Sequence, residues 1–198
     1  MMNHKKKNAI ILVAVSIAFV AIVIWIAWGN SALMVNEIKI TNDKIPQSFE
    51  GFRIAQVSDL HNAELGKDNN KLIEKLNECE PDIIVLTGDL IDSNHTNLEV
   101  ALSFARQAVK IAPCYFVTGN HEAWVGSQYE ELKTSLENAG VTVLQDEAIE
   151  LNYGDECIQL IGLNDPDFSE RDNFLSESIL ETKLSQMNIG DGFTMLLS

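Results

Sequence analysis

Three times in succession this chain runs from an apolar stretch into a small polar cluster and then into an amphipathic segment, and that order restricts the fold more than any other feature. The first apolar stretch, Ile54-Ala55-Gln56-Val57, ends in Ser58-Asp59-Leu60-His61. The second, Ile83-Ile84-Val85-Leu86, has no polar alternation, the pattern of a strand covered on both faces, and ends in Thr87-Gly88-Asp89-Leu90-Ile91-Asp92. The third, Pro113-Cys114-Tyr115-Phe116-Val117, ends in Thr118-Gly119-Asn120-His121-Glu122. A helix is predicted after each. The first starts near Asp68 or Asn69, carries Leu72, Ile73, Leu76 and Cys79 on one face, and stops at Pro81. The second starts near Thr96, whose spacing to Glu99 predicts a capping box; the third starts at Ser127, boxed with Glu130, and runs to a cap at Gly140. Strand, loop and helix in this order describe parallel βαβ crossovers, so the expected class is α/β. In such sheets ligands collect beyond the carboxyl ends of the strands, where all three polar clusters fall.

Those clusters hold the candidate site residues. Residues i and i+2 of a strand share a face, so Asp59 and His61 could grip one ion as their strand opens into a loop. Mixed oxygen and nitrogen ligands suit Mn, Fe or Zn. An Asp at a strand end also caps turns, and Gly88, Gly119, Asp89 and Asn120 all belong to residue types common in turns. Asp92 reads as a carboxylate supporting the site or capping its loop. Glu122 reads either as orienting its neighbour or as facing solvent, and His95 and His4 read as surface residues.

The amino-terminal segment is of another kind. Residues 9–28 are apolar apart from Ser16, long enough to cross a hydrocarbon core of about 30 Å. Lys5, Lys6 and Lys7 precede this run, so the expected topology is single-pass in the cell membrane, with residues 1–8 cytoplasmic and the rest extracytoplasmic. Ala27-Trp28-Gly29 resembles a signal-peptide cleavage site, but the run exceeds the usual apolar region of such peptides and reads as a retained anchor. Beyond it lie 11 of the 14 basic residues and all 29 acidic ones, a balance of −18. That surface excludes nucleic acid as a partner, because phosphate binding needs a basic footprint. Cys79, Cys114 and Cys157 are odd in number and widely spaced; they read as buried small hydrophobes rather than a disulfide framework.

Residues 29–50 read as an exit segment, with alternation over Leu33–Ile40 predicting a half-buried first strand. A domain of residues 51–198 follows. After Gly140 short runs at Val141–Leu144, Ile149–Leu151 and Cys157–Ile161 predict a hairpin-like meander, then a helix near 177–187 with Leu180, Leu184 and Met187 inward, and a core strand at 193–198.

Ser58-Asp59-Leu60-His61, Gly88-Asp89-Leu90-Ile91-Asp92 and Gly119-Asn120-His121-Glu122 together resemble the first three blocks of the calcineurin-like metallophosphoesterase superfamily. Asn62 to Gly66, Pro81 to Ile84 and Ile161 to Pro166 are similar to its membrane-anchored bacterial branch, the YkuE/YaeI type. The resemblance implies a four-layer αββα sandwich and hydrolysis of a phosphomonoester or phosphodiester, with a small-molecule or lipid-linked substrate. It implies two divalent metal ions (Mn, Fe or Zn, with Mg open): Asp59 and His61 on the first, Asp89 bridging, Asn120 on the second. His121 would serve catalysis by stabilising developing charge or protonating the leaving oxygen, with Asp92 and Glu122 behind the ligands. The family's pattern continues with a histidine after the strand that here ends at Ser198, and with a Gly-His-x-His block, neither of which the chain contains. The expectation is therefore a truncated enzyme with an incomplete second metal site and little activity by itself, the alternative being a non-catalytic, membrane-anchored metal- or partner-binding remnant.

Overall fold

The computed structural model describes residues 4–29, 33–168 and 176–198; within the first and last helices, side chains are described for 11–23, 25 and from 180 onward. His4 and Trp28 as side chains, and residues 30–32 of the exit segment, lie outside the described set. The contacts divide the chain into Met1–Glu37 and Ile38–Ser198.

In the first unit, α1 (His4–Gly29) is a helix of 26 residues. Its described side chains are all exposed, Leu12, Phe19 and Trp25 among them. Among the described residues no helix is long and apolar enough to cross a membrane.

Leu33–Ile40 forms no strand, against expectation. Met34 and Ile38 are 80% and 82% exposed. Alternation supplies a strand with a face but not with a neighbour to take its amides, and none of the described strands pairs with this segment.

The second unit is built on a parallel sheet in the order β1 (Ile54–Val57), β2 (Ile83–Thr87), β3 (Cys114–Val117), β4 (Val141–Val143). Its crossovers are α2 (Asn70–Cys79), α3 (Leu98–Ala108) and α5 (Gln128–Ala139), with the short α4 (Asn120–Trp124) inserted directly after β3. Val141–Val143 was expected to open a meander; instead it extends the parallel sheet, because Gly140 adopts φ 97° and turns the chain straight back from α5. A second sheet holds the antiparallel hairpin β5 (Glu147–Tyr153) and β6 (Glu156–Gly162), with β7 (Thr194–Leu197) parallel to β6 after α6 (Ser176–Gln186).

Ile83, Val85 and Val117 join Phe49, Leu144, Leu151, Ile158, Leu160 and Leu197 in one buried cluster, which joins the two sheets face to face. Strand alternation turns Ile84, Leu86 and Phe116, each 0% exposed, toward the other face, where α3 and α5 bury Phe104, Leu132 and Leu136. Each such side chain contributes roughly 1.5–3 kcal/mol by leaving water. In α6, Leu180 is 41% exposed rather than inward.

Neither predicted capping box forms. Thr96 Oγ1 donates to the carbonyl of Asp92 at 3.1 Å, closing its own loop, and α3 starts two residues later. Ser127 sits in helical geometry without a side-chain cap bond. Cys114 is buried, but Cys157 is exposed near the hairpin turn, so burial does not hold for all three thiols.

Candidate metal centre

Beyond Val57 the chain leaves β1 without leaving its neighbour. The amides of Asp59, His61 and Asn62 donate to the carbonyls of Gly88 (3.2 Å), Asp89 (2.9 Å) and Leu90 (3.2 Å), so the loops after β1 and β2 run joined past the sheet edge. This pairing holds Asp59, His61, Asn62 and Asp89 at φ values of 55°, 45°, 58° and 52°. Left-handed backbone at residues other than glycine costs about 1–3 kcal/mol each and concentrates at functional sites. Asp59 and His61 do face each other, with His61 Nε2 3.6 Å from Asp59 Oδ1, but the left-handed loop brings them together and the strand pleat does not.

The second and third loops meet back to back. A Cβ on Gly88 would lie 2.5 Å from the Gly119 nitrogen, and one on Gly119 would lie 2.7 Å from the Asp89 nitrogen. These glycines permit close approach as well as a turn. The approach lets the Asp89 carboxylate reach both neighbours: Oδ2 lies 3.9 Å from His61 Nε2, and Oδ1 accepts the amide of His121 at 2.9 Å.

Glu122 is 0% exposed. Its carboxylate accepts the amides of Asp89 (2.8 Å), Gly119 (2.8 Å) and Ile91 (3.3 Å), tying the two loops together. Desolvation raises its pKa, and the hydrogen bonds from Gly119, Asp89 and Ile91 oppose that rise. The solvent-facing reading of Glu122 is therefore overturned. Asp92 both caps its loop and approaches the site. Its Oδ1 accepts from Asn94 at 2.9 Å, the principal cause of its lowered pKa, and lies 3.6 Å from His121 Nδ1.

His121 is held on several sides. Nδ1 accepts the Ser93 amide at 3.0 Å, and the ring lies 4.5 Å from that of His61 and 5.0 Å from the indole of Trp124. A neutral imidazole accepts at one nitrogen and donates at the other, so this bond assigns the proton to Nε2. Asn120 opens α4 half-buried, and its side chain makes no hydrogen bond among the described residues. His95 is a surface residue.

The donor set suits a cation. His61, Asp89 and His121 each offer a ligand atom within 4.8 Å of the others. The spacings of 3.6 and 3.9 Å around His61 Nε2 can be spanned by two bonds of about 2.1 Å. Described Lys and Arg pairs lie elsewhere, at Arg53–Glu80, Lys75–Glu78, Arg106–Glu99 and Lys183–Asp146. The carboxylates of Asp59 and Asp89 thus have no side-chain base but histidine among the described residues.

Sequence reasoning missed Ser93, Trp124 and Asp167. Ser93 reaches His121 Nδ1 through its backbone amide at 3.0 Å, which carries no residue signature, and its hydroxyl lies 3.2 Å from the same nitrogen. Trp124 stands three residues after His121, a spacing that becomes contact only on a helix, and its Nε1 donates to Asp167 Oδ2 at 2.6 Å. The Asn164-Asp165-Pro166 turn joins the same region, with the Asp165 amide donating to Thr118 Oγ1 at 3.0 Å.

Residues 52–188 match the family model for calcineurin-like phosphoesterases. An uncharacterized metallophosphoesterase of Aquifex aeolicus is 31% identical over 137 residues, 68% of this chain and 50% of that protein. The Bacillus subtilis metallophosphoesterase YkuE is 29% identical over 160 residues, 75% of this chain and 55% of its own length. A Danio rerio transmembrane protein with a metallophosphoesterase domain is 29% identical over 138 residues, 65% of this chain and 30% of that protein. The chain thus spans about half, or less, of the length of these curated relatives. On the match over residues 52–188, the chain belongs to the calcineurin-like phosphoesterase family.

Proposed function

We propose that this chain carries the metal-binding half of a membrane-tethered phosphoesterase, with Asp59, His61 and Asp89 holding one divalent cation, and Asp89 with Asn120 contributing to a second. The observation that carries the reading is His61 Nε2 set between the carboxylates of Asp59 and Asp89, with the ring of His121 against it. When bound, such cations neutralise phosphoryl oxygens and lower the pKa of water. The protein's own part is positional. Glu122 fixes the two loops that present Asp89 and His121, and the Ser93 amide keeps the His121 proton on Nε2, where it can donate a hydrogen bond to the charge developing on the leaving oxygen. In these 198 residues the second cation has a shared carboxylate and a neutral amide as donors, so it binds weakly and hydrolysis by the chain alone is slow.

The test is hydrolysis of an aryl phosphodiester with Mn²⁺, by this chain and by a version extended through the family's later histidines, with Asp89→Asn as control. Asp89-dependent turnover confined to the longer version supports the reading. Mn²⁺ binding with no turnover by either supports the non-catalytic alternative, and absence of both overturns the metal centre. The kinship with YkuE supports placing the chain in that bacterial branch. We further propose that residues 9–28 anchor it in the membrane, lysine end inward; the name of the Danio rerio relative is in keeping with this. Protease added to intact cells should digest the domain of residues 51–198, and its protection would reverse the topology.

A further inference from the structure

We propose that Trp124 selects the substrate: its indole is a packing surface for an uncharged, flat aromatic group carried on the leaving oxygen. The inference rests on the phosphoesterase reading above. Trp124 is 53% exposed although it adjoins the most constrained part of the fold. One contact sets its ring beside His121, with centroids 5.0 Å apart and planes inclined by 38°. Its polar atom, Nε1, is committed to Asp167 Oδ2 at 2.6 Å, and the Asp167 amide is in turn held by Asp165 Oδ1 at 2.8 Å. What remains open to solvent is therefore apolar, broad and fixed in place, with the carboxylates of Asp167 and Asp165 beside its polar edge. Trp124 thus joins a pinned indole to a face open to solvent beside His121, the combination that a recognition surface requires.

The position identifies the part of the substrate concerned. The Nε2–H of His121 is aimed at the charge on the leaving oxygen, so whatever that oxygen carries lies on the His121 side, next to the residue packed against His121. Asp92 lies 3.6 Å from His121, Asp167 accepts from the indole and Asp165 holds Asp167, and these carboxylates disfavour an anionic group there and favour a neutral ring. Rigidity matters as well: an indole already pinned by Asp167 loses little freedom when a second ring packs on it.

The test compares phenylphosphonate with methylphosphonate, neither of which can be hydrolysed, as ligands of the intact chain in Mn²⁺, read by calorimetry. The wild-type chain should bind phenylphosphonate about tenfold more tightly. In Trp124→Ala the ratio should fall close to one through loss of phenylphosphonate affinity alone, and Trp124→Phe should keep most of it. Equal binding of the two by the wild type, or a ratio that survives in folded Trp124→Ala, overturns the inference while leaving the phosphoester reading intact. Failure of either phosphonate to bind at all overturns the inference, while Asp89-dependent turnover by the extended version decides the phosphoester reading separately.

Discussion

The backbone amide of Ser93 donates to Nδ1 of His121 at 3.0 Å, and this one bond separates two roles that proximity alone would leave merged. His121 lies within ligand distance of His61 and Asp89. With Nδ1 accepting, however, Nε2 carries hydrogen and has no lone pair for a cation. His121→Ala should therefore leave Mn²⁺ affinity within about threefold while lowering phosphodiester turnover of the extended version by roughly 10²-fold. His61→Ala should lose the cation itself. Titration of Mn²⁺ by calorimetry decides the matter, and a large loss of affinity in His121→Ala would make His121 a ligand.

Glu122 accepts three amides from a fully buried position, so Glu122→Ala strands three donors. The expected loss is roughly 2–4 kcal/mol of stability, with about tenfold weaker Mn²⁺ binding because Asp89 loses the support of its loop. Glu122→Gln keeps an oxygen for Asp89 and Gly119 and should lose about 1 kcal/mol. Urea unfolding of both variants beside the wild type measures the difference.

Gly119 is not in the left-handed region, with φ −103°, so its replacement tests packing alone. Gly119→Ala drives a Cβ into the Asp89 backbone and should cost about 1–3 kcal/mol and displace the Asp89 carboxylate. Gly190→Ala has open space around it and serves as the control, with no change expected. Thermal melting with and without Mn²⁺ should show the wild type and the control gaining stability from the ion and Gly119→Ala gaining little.

Glu156 Oε2 accepts the Ser48 amide at 2.7 Å, and this bond is the main reason its pKa is lowered. A depressed carboxylate stabilises the fold above its unfolded pKa and ceases to do so as pH falls through the folded value. The wild type should exceed Glu156→Gln in urea midpoint near neutral pH, and the gap should close on acidification below the ordinary glutamate value of 4.5. A gap independent of pH would show that the carboxylate charge plays no part.

What was readable in the sequence is what local pattern controls. The run Ile83–Leu86 is buried along its length, and the three polar blocks stand at the ends of β1, β2 and β3 because βαβ order places them there. What failed depended on a partner. Leu33–Ile40 alternates correctly and pairs with no described strand, Val141–Val143 is too short to declare its direction, and Thr96 spends its hydroxyl on Asp92 instead of a helix. At the site the residue types were legible and their geometry was not. Asp59 and His61 meet through positive φ, and the groups that position His121 and Asp89 are backbone amides and a buried carboxylate hidden in a loop motif.

The positive φ values of Asp59, His61 and Asp89 also bear on how such a chain responds to selection. At each of these positions glycine would relieve the backbone, by about 1 kcal/mol or more, so the substitutions that make the fold more comfortable are the ones that delete its donors. Laboratory selection for heat resistance, with no demand for metal, should therefore erode this corner of the protein first. Recovering both properties would require the compensating gains to come from residues remote from the three loops.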